Sequence, residues 1–105
     1  MTNQAFNEIT EKLLQNTHNT LIRKQGEYSL DEDRLSCFKR AAHIQQTTNA
    51  KALAGMLSKH IVSIYDMISA ETPPTEAMAL EKCGDAINYL VLLYATWAEE
   101  GFKND

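Results

Sequence analysis

Residues 80–100, LEKCGDAINYLVLLYATWAEE, form the longest apolar run in the chain and the only one with acidic residues set at a helical interval. At 100° per residue, Leu80, Cys83, Ile87, Leu90, Val91, Tyr94, Trp97 and Ala98 share one broad side, and Glu81, Asp85 and Asn88 share the opposite one. The spacing predicts one long helix with Ile87, Leu90, Val91 and Tyr94 as its core. Its second half is apolar nearly all round, so the far side is expected to be covered too, by another helix or another subunit. The acidic strip is then expected to open into a cleft instead of bulk water.

Working outward, three more helices fit. Phe6, Ile9, Leu13, Leu14, Leu21 and Ile22 mark an amphipathic helix over about 2–24, with Asn16, Thr17, Asn19 and Thr20 weakening its last turns. Gly26 suits its end, and Ser29 with Glu32 reads as a capping box, with Asp31 as the competing cap. Leu35, Phe38 and Ala42 give a short helix over about 33–46. Leu53, Leu57, Ile61, Ile64 and Ile68 give another over about 50–70, with Asn49 as its expected cap and small residues at Ala52 and Gly55 on the opposite strip. Thr72-Pro73-Pro74-Thr75 stops that helix and starts the last, over about 75–100, which Gly101 ends. The expected fold is therefore all-α: one domain over residues 1–105, a four-helix antiparallel bundle-like unit completed by oligomerisation through its third and fourth helices.

Composition narrows the function. The 105 residues carry a net charge of -4, which argues against direct nucleic-acid binding. The charge is uneven: residues 1–60 hold eight Lys/Arg against six Asp/Glu, and residues 61–105 hold two against eight. That division suits either a site for phosphate and metal or two halves attracted on folding. Cys37 and Cys83 form no metal-binding pattern and are expected to be buried free thiols. No stretch reads as a signal peptide or a membrane span, so a cytoplasmic protein is expected.

Glu81 and Asp85, one turn apart, place their Cβ atoms roughly 5 to 6 Å from each other, close enough to share a Mg²⁺ ion. A solvated acidic face is the plainer alternative. On the third helix, Lys59 and Asp66 share a face, with Lys59 suited to a phosphate or to an ion pair with Asp85 or Glu81. His60 borders the apolar stripe, as a structural histidine or a general base. Arg23, Lys24 and Tyr28 lie at the first loop, with Arg34 near a helix start, and suit either an anion or a salt-bridged turn. Tyr28 either packs down or stacks on a base.

The segments KQGEY, DRLSCFKRAA, KHIVSIYDM and EKCGDAINYLVLL together resemble small phage-borne relatives of the all-α nucleoside triphosphate pyrophosphatases, the MazG-like and nucleotide-modification-associated group. The resemblance spans roughly residues 22 to 100. It implies an oligomeric helical protein that uses Mg²⁺ on clustered carboxylates to split a nucleoside triphosphate, with Glu81 and Asp85 as catalytic residues. In that reading Glu81, Asp85 and Asp66 hold metal, and Lys24, Tyr28, Arg34, Lys59, His60 and Asn88 contact ligand. The usual second motif begins on Lys82 here, and Lys59, Ser63 and Asp66 stand in place of the first, leaving three carboxylates where four are expected. Two alternatives follow: a protein that sequesters a nucleotide, including a host immune signal, without cutting it, or a helical protein-interaction module with no ligand.

Overall fold

A computed structural model describes residues 1–25 and 33–104. Among them are four helices and no strand: α1 (Asn3–Arg23), α2 (Ser36–Gln45), α3 (Asn49–Ser69) and α4 (Glu76–Glu100). The fold is all-α, and the helices begin and end within about three residues of the positions read from the sequence. Their ends have local causes. Thr2, Thr48 and Thr75 each accept a backbone N–H bond at a helix start, from Ala5, Lys51 and Met78. Thr48, not Asn49, caps α3, because Asn49 is already the first helical residue. Gly101, at φ 98°, ends α4. The expected Gly26 stop and the Ser29, Asp31 and Glu32 caps lie outside the described residues.

Helix α4 is central, packed on one flank by α1 and on another by α3, while α2 packs on α3. The six-residue connection makes α3 and α4 antiparallel, with His60 opposite Asp85 and Leu53 clustered with Leu92. Helix α1 instead runs in the same direction as α4: Lys12 pairs with Glu76, Thr17 meets Gly84, and Lys24 reaches the level of Asn88. The antiparallel expectation thus applies to α3 and α4 and not to this pair.

The core is small. Leu35, Phe38, Leu53 and Leu92 form its cluster, with Tyr89 edge-on to Phe38, and Ala42 and Ala52 are buried beside α2 and α3. The stripe read on α2 is therefore the buried one. On α4 the expected phase is overturned. Its buried residues are Gly84, Asn88, Leu92 and Thr96, whereas Leu90, Val91, Tyr94 and Trp97 are 53%, 44%, 64% and 48% exposed. Hydrophobicity did not pick the inward side, because that side is chosen for close approach: Gly84 has no Cβ, and Thr96 satisfies its hydroxyl on the Leu92 carbonyl at 2.9 Å. On α3, Leu53 is buried, Leu57 and Ile64 are half-buried, and Ile61 and Ile68 are exposed. Gly55 faces open space, so the expected close approach there does not occur. Cys83 is exposed and Cys37 half-buried, correcting the expectation of two buried thiols. Among the described residues no helix is long and apolar enough to cross a membrane.

Candidate functional site

The site is set by the contact of α1 with α4. A Cβ on Gly84 would stand 3.1 Å from the Thr17 hydroxyl oxygen, so the glycine lets the two helices touch. Thr17 is buried there and donates its hydroxyl to the Leu13 carbonyl at 2.8 Å. Beside this contact the helices leave a cleft of about 370 Å³. One wall is Asn16, Thr20, Arg23 and Lys24 of α1, and the other includes Glu81, Asp85 and Asn88 of α4. Its volume is at the lower end of the range for small-molecule sites, about 300 to 1,000 Å³.

The walls carry opposite charge. Arg23 closes the last turn of α1 and Lys24 caps it, where cations also face the carbonyl end of the helix dipole. Across from them, Glu81 is exposed and Asp85 half-buried, on successive turns of one helix face. A second cavity of about 20 Å³, enough for one water, adjoins the cleft and is lined by Lys24, His60, Asp85, Asn88 and apolar neighbours. Here His60 Nδ1 lies 3.7 Å from Asp85 Oδ2, with its ring centre 4.8 Å from that of Tyr89. The partner of Asp85 across the helix pair is thus His60 and not Lys59. Asn88 is 7% exposed, and its Oδ1, shut from solvent, meets no hydrogen-bond donor among the described residues. A buried acceptor left unpaired is costly, so it marks a place where a donor or cation is wanted.

The nine residues singled out from sequence are therefore placed as follows. Lys24, Glu81, Asp85 and Asn88 converge on the cleft, and His60 lines the adjoining cavity. Lys59 is exposed and stands outside both. Asp66 is also exposed and outside, and Arg34 is half-buried at the start of α2, away from the cleft lining. Tyr28 lies outside the described residues. Among the described residues, no group of three or more His, Cys, Asp or Glu is arranged to hold a metal ion. Arg23, read from sequence as suited to an anion, lines the cleft as well, and Asn16 and Thr20 add to it what the sequence reading did not assign. Their signal was available, since spacings of four and three put Asn16, Thr20 and Arg23 on one face of α1.

No family model, curated protein or solved structure matches the chain.

Proposed function

We propose that the cleft between α1 and α4 binds a nucleotide by its phosphates, as in a phage-type, Mg²⁺-dependent nucleotide pyrophosphohydrolase-like protein of the host cytoplasm. The observation that carries this reading is the pair Arg23 and Lys24 facing Glu81 and Asp85 across a cleft of about 370 Å³. The cationic wall suits phosphate oxygens, with Arg23 able to bind two at once and Lys24 acting as a point charge. The anionic wall suits a hard cation. Mg²⁺ is commonly held by one or two carboxylates together with substrate phosphates, and Glu81 with Asp85 matches that donor set for one ion. Asp66 lies outside it. When bound, such an ion polarises a phosphoryl oxygen. The chain's own part is to neutralise phosphate charge at Arg23 and Lys24, to fix Asp85 against His60, and to offer Asn88 Oδ1 to a ligand donor or cation.

A second reading is favoured by the carboxylate count. Among the described residues, the carboxylates that line the cleft are Glu81 and Asp85. A site with so little negative charge is suited to holding a nucleotide without hydrolysing it. Homo-oligomerisation through α3 and α4 belongs to both readings, because large apolar side chains of both helices remain exposed.

Incubation with each (d)NTP and Mg²⁺, followed by assay for pyrophosphate, and calorimetry on the same nucleotides separate the readings. Pyrophosphate release supports the hydrolase. Heat of binding without release, lost in Arg23→Ala/Lys24→Ala, supports sequestration, and absence of both removes nucleotide from this cleft.

A further inference from the structure

We propose that two copies of this chain pair through the outward side of α4, between Cys83 and Ala98, in an antiparallel arrangement about a twofold axis near Leu90 and Val91. This rests on the homo-oligomer reading above and narrows its surface from α3 and α4 to the outward side of α4. Opposite the buried Gly84, Asn88, Leu92 and Thr96, the helix presents Cys83, Ile87, Leu90, Val91, Tyr94 and Trp97. From residue 83 to residue 98 the sole charged side chain is Asp85, on the inward side. The strip is thus an uncharged apolar band about 22 Å long. Contiguous apolar surface of this extent is rare on monomers and marks a contact site.

The exposed area says how large a partner is needed. The chain exposes 7832 Å². A compact monomer of its 11.8 kDa mass exposes about 5,900 Å². The excess of about 1,900 Å² exceeds the roughly 800 Å² that each partner buries in a standard interface. The radius of gyration, 15.9 Å, also exceeds the roughly 13 Å of a compact chain of this length. At Cys83 the strip continues into an apolar groove of about 460 Å³ beside Phe6, Ile9 and Leu13 of α1.

The occupant that fits is a second copy. The strip holds no basic residue and the chain carries -4 overall, so an anionic lipid surface is not attracted to it. The strip complements itself in size. Pairing centred between Leu90 and Val91 sets Tyr94 and Trp97 of one copy against Ile87 and Cys83 of the other, large groups at one end meeting smaller ones. This isologous contact closes on itself. Glu81, Asp85 and Asn88 lie on the opposite side of α4, so both clefts stay open.

Light scattering across a dilution series, on wild type, Leu90→Arg and Ile68→Arg, tests this. Wild type and Ile68→Arg, changed at an exposed position of α3, are expected to be dimers. Leu90→Arg is expected to be a monomer with unchanged helical circular dichroism. A monomeric wild type overturns both this surface and the homo-oligomer reading. An oligomeric wild type with an equally oligomeric, folded Leu90→Arg overturns the surface alone. Should Leu90→Arg not fold, Val91→Cys in a Cys37→Ser/Cys83→Ser background decides: oxidation must give a covalent dimer, and its absence overturns the pairing.

Discussion

The two sides of α4 invert the usual rule. The side packed into the molecule carries Gly84, Asn88, Leu92 and Thr96, and the side left outside carries Leu90, Val91, Tyr94 and Trp97. Small and polar groups are inside because the helix must touch α1 and also line a cleft. Leu92 is the one large apolar residue on that side that joins the core cluster. Hydrophobicity sets how much of a helix wants cover, and close approach decides which side is covered first.

The largest effect that tests this inversion comes from a pair of truncations two residues apart. Leu92, 4% exposed within the core cluster, is expected to cost about 2 to 5 kcal/mol on replacement by Ala. Leu90→Ala, measured in urea at concentrations dilute enough to keep the chain monomeric, is expected to cost about 0.5 kcal/mol or less, as exposed positions do. Equal costs would erase the distinction between the two sides.

The inward side also makes a claim about Asp85. If Asp85 helps hold Mg²⁺, wild type gains about 2.7 kcal/mol at a hundredfold excess of metal over its dissociation constant, and Asp85→Asn gains nothing. If Asp85 serves only His60, 3.7 Å away, wild type shows no Mg²⁺-dependent shift, and Asp85→Asn is destabilised in metal and in chelator alike. Thermal melts of both proteins in each condition separate these outcomes.

How far the sequence foretold these features depends on the kind of signal each left. Helix ends were legible because Thr75, Gly101 and the Pro73-Pro74 break act locally. The stripe of Leu35, Phe38 and Ala42 was legible because that helix is polar elsewhere. The phase of α4 was not, since a helix apolar nearly all round gives no contrast from which to read it, and the size of Gly84 mattered more than the apolarity of Tyr94. On the site, Glu81, Asp85 and Asn88 stood out at helical spacing, and their place in a cleft followed from that. The opposing wall was hidden, because Asn16 and Thr20 look like helix weakeners until α4 stands beside them. Lys59 and Asp66 show the limit of a shared helix face: they line up on α3, but on a side that points away from the cleft.

A smaller effect is expected at the helix contact itself. In an open helix, Gly→Ala stabilises by about 0.8 to 1 kcal/mol. At position 84 the new methyl would meet the Thr17 oxygen at 3.1 Å, and that oxygen is tied to the Leu13 carbonyl. Gly84→Ala should therefore be less favourable in wild type than in a Thr17→Ala background, by at least about 0.5 kcal/mol. A double-mutant cycle in urea measures the difference. Additive effects would mean that α1 moves freely enough to ignore the added group, and that Gly84 does not set the width of the cleft.

The smallest expected effect lies where the rim of the packed side is closed by charge instead of apolar contact. Lys39 of α2 pairs with Asp33, at 2.6 Å, and with Glu99 near the end of α4. The bond from Lys39 holds the Asp33 carboxyl below its ordinary pKa, helped by the backbone N–H of Leu35. Asp33, with Glu99, in turn holds the lysine above its own. For a carboxyl lowered on folding, the stabilisation is complete above its unfolded pKa near 4 and disappears as pH falls through the lower folded value. For a lysine raised on folding, it is complete below the unfolded pKa and disappears as pH rises through the folded one. Lys39→Met should therefore melt below wild type near neutral pH, with the gap closing as pH falls from about 4 towards 2. These groups are more than a third exposed or close to it, so water and salt weaken the pair and the gap should shrink at high ionic strength. A gap independent of both pH and salt would show that the aliphatic stem of Lys39, and not its charge, ties α2 to the end of α4.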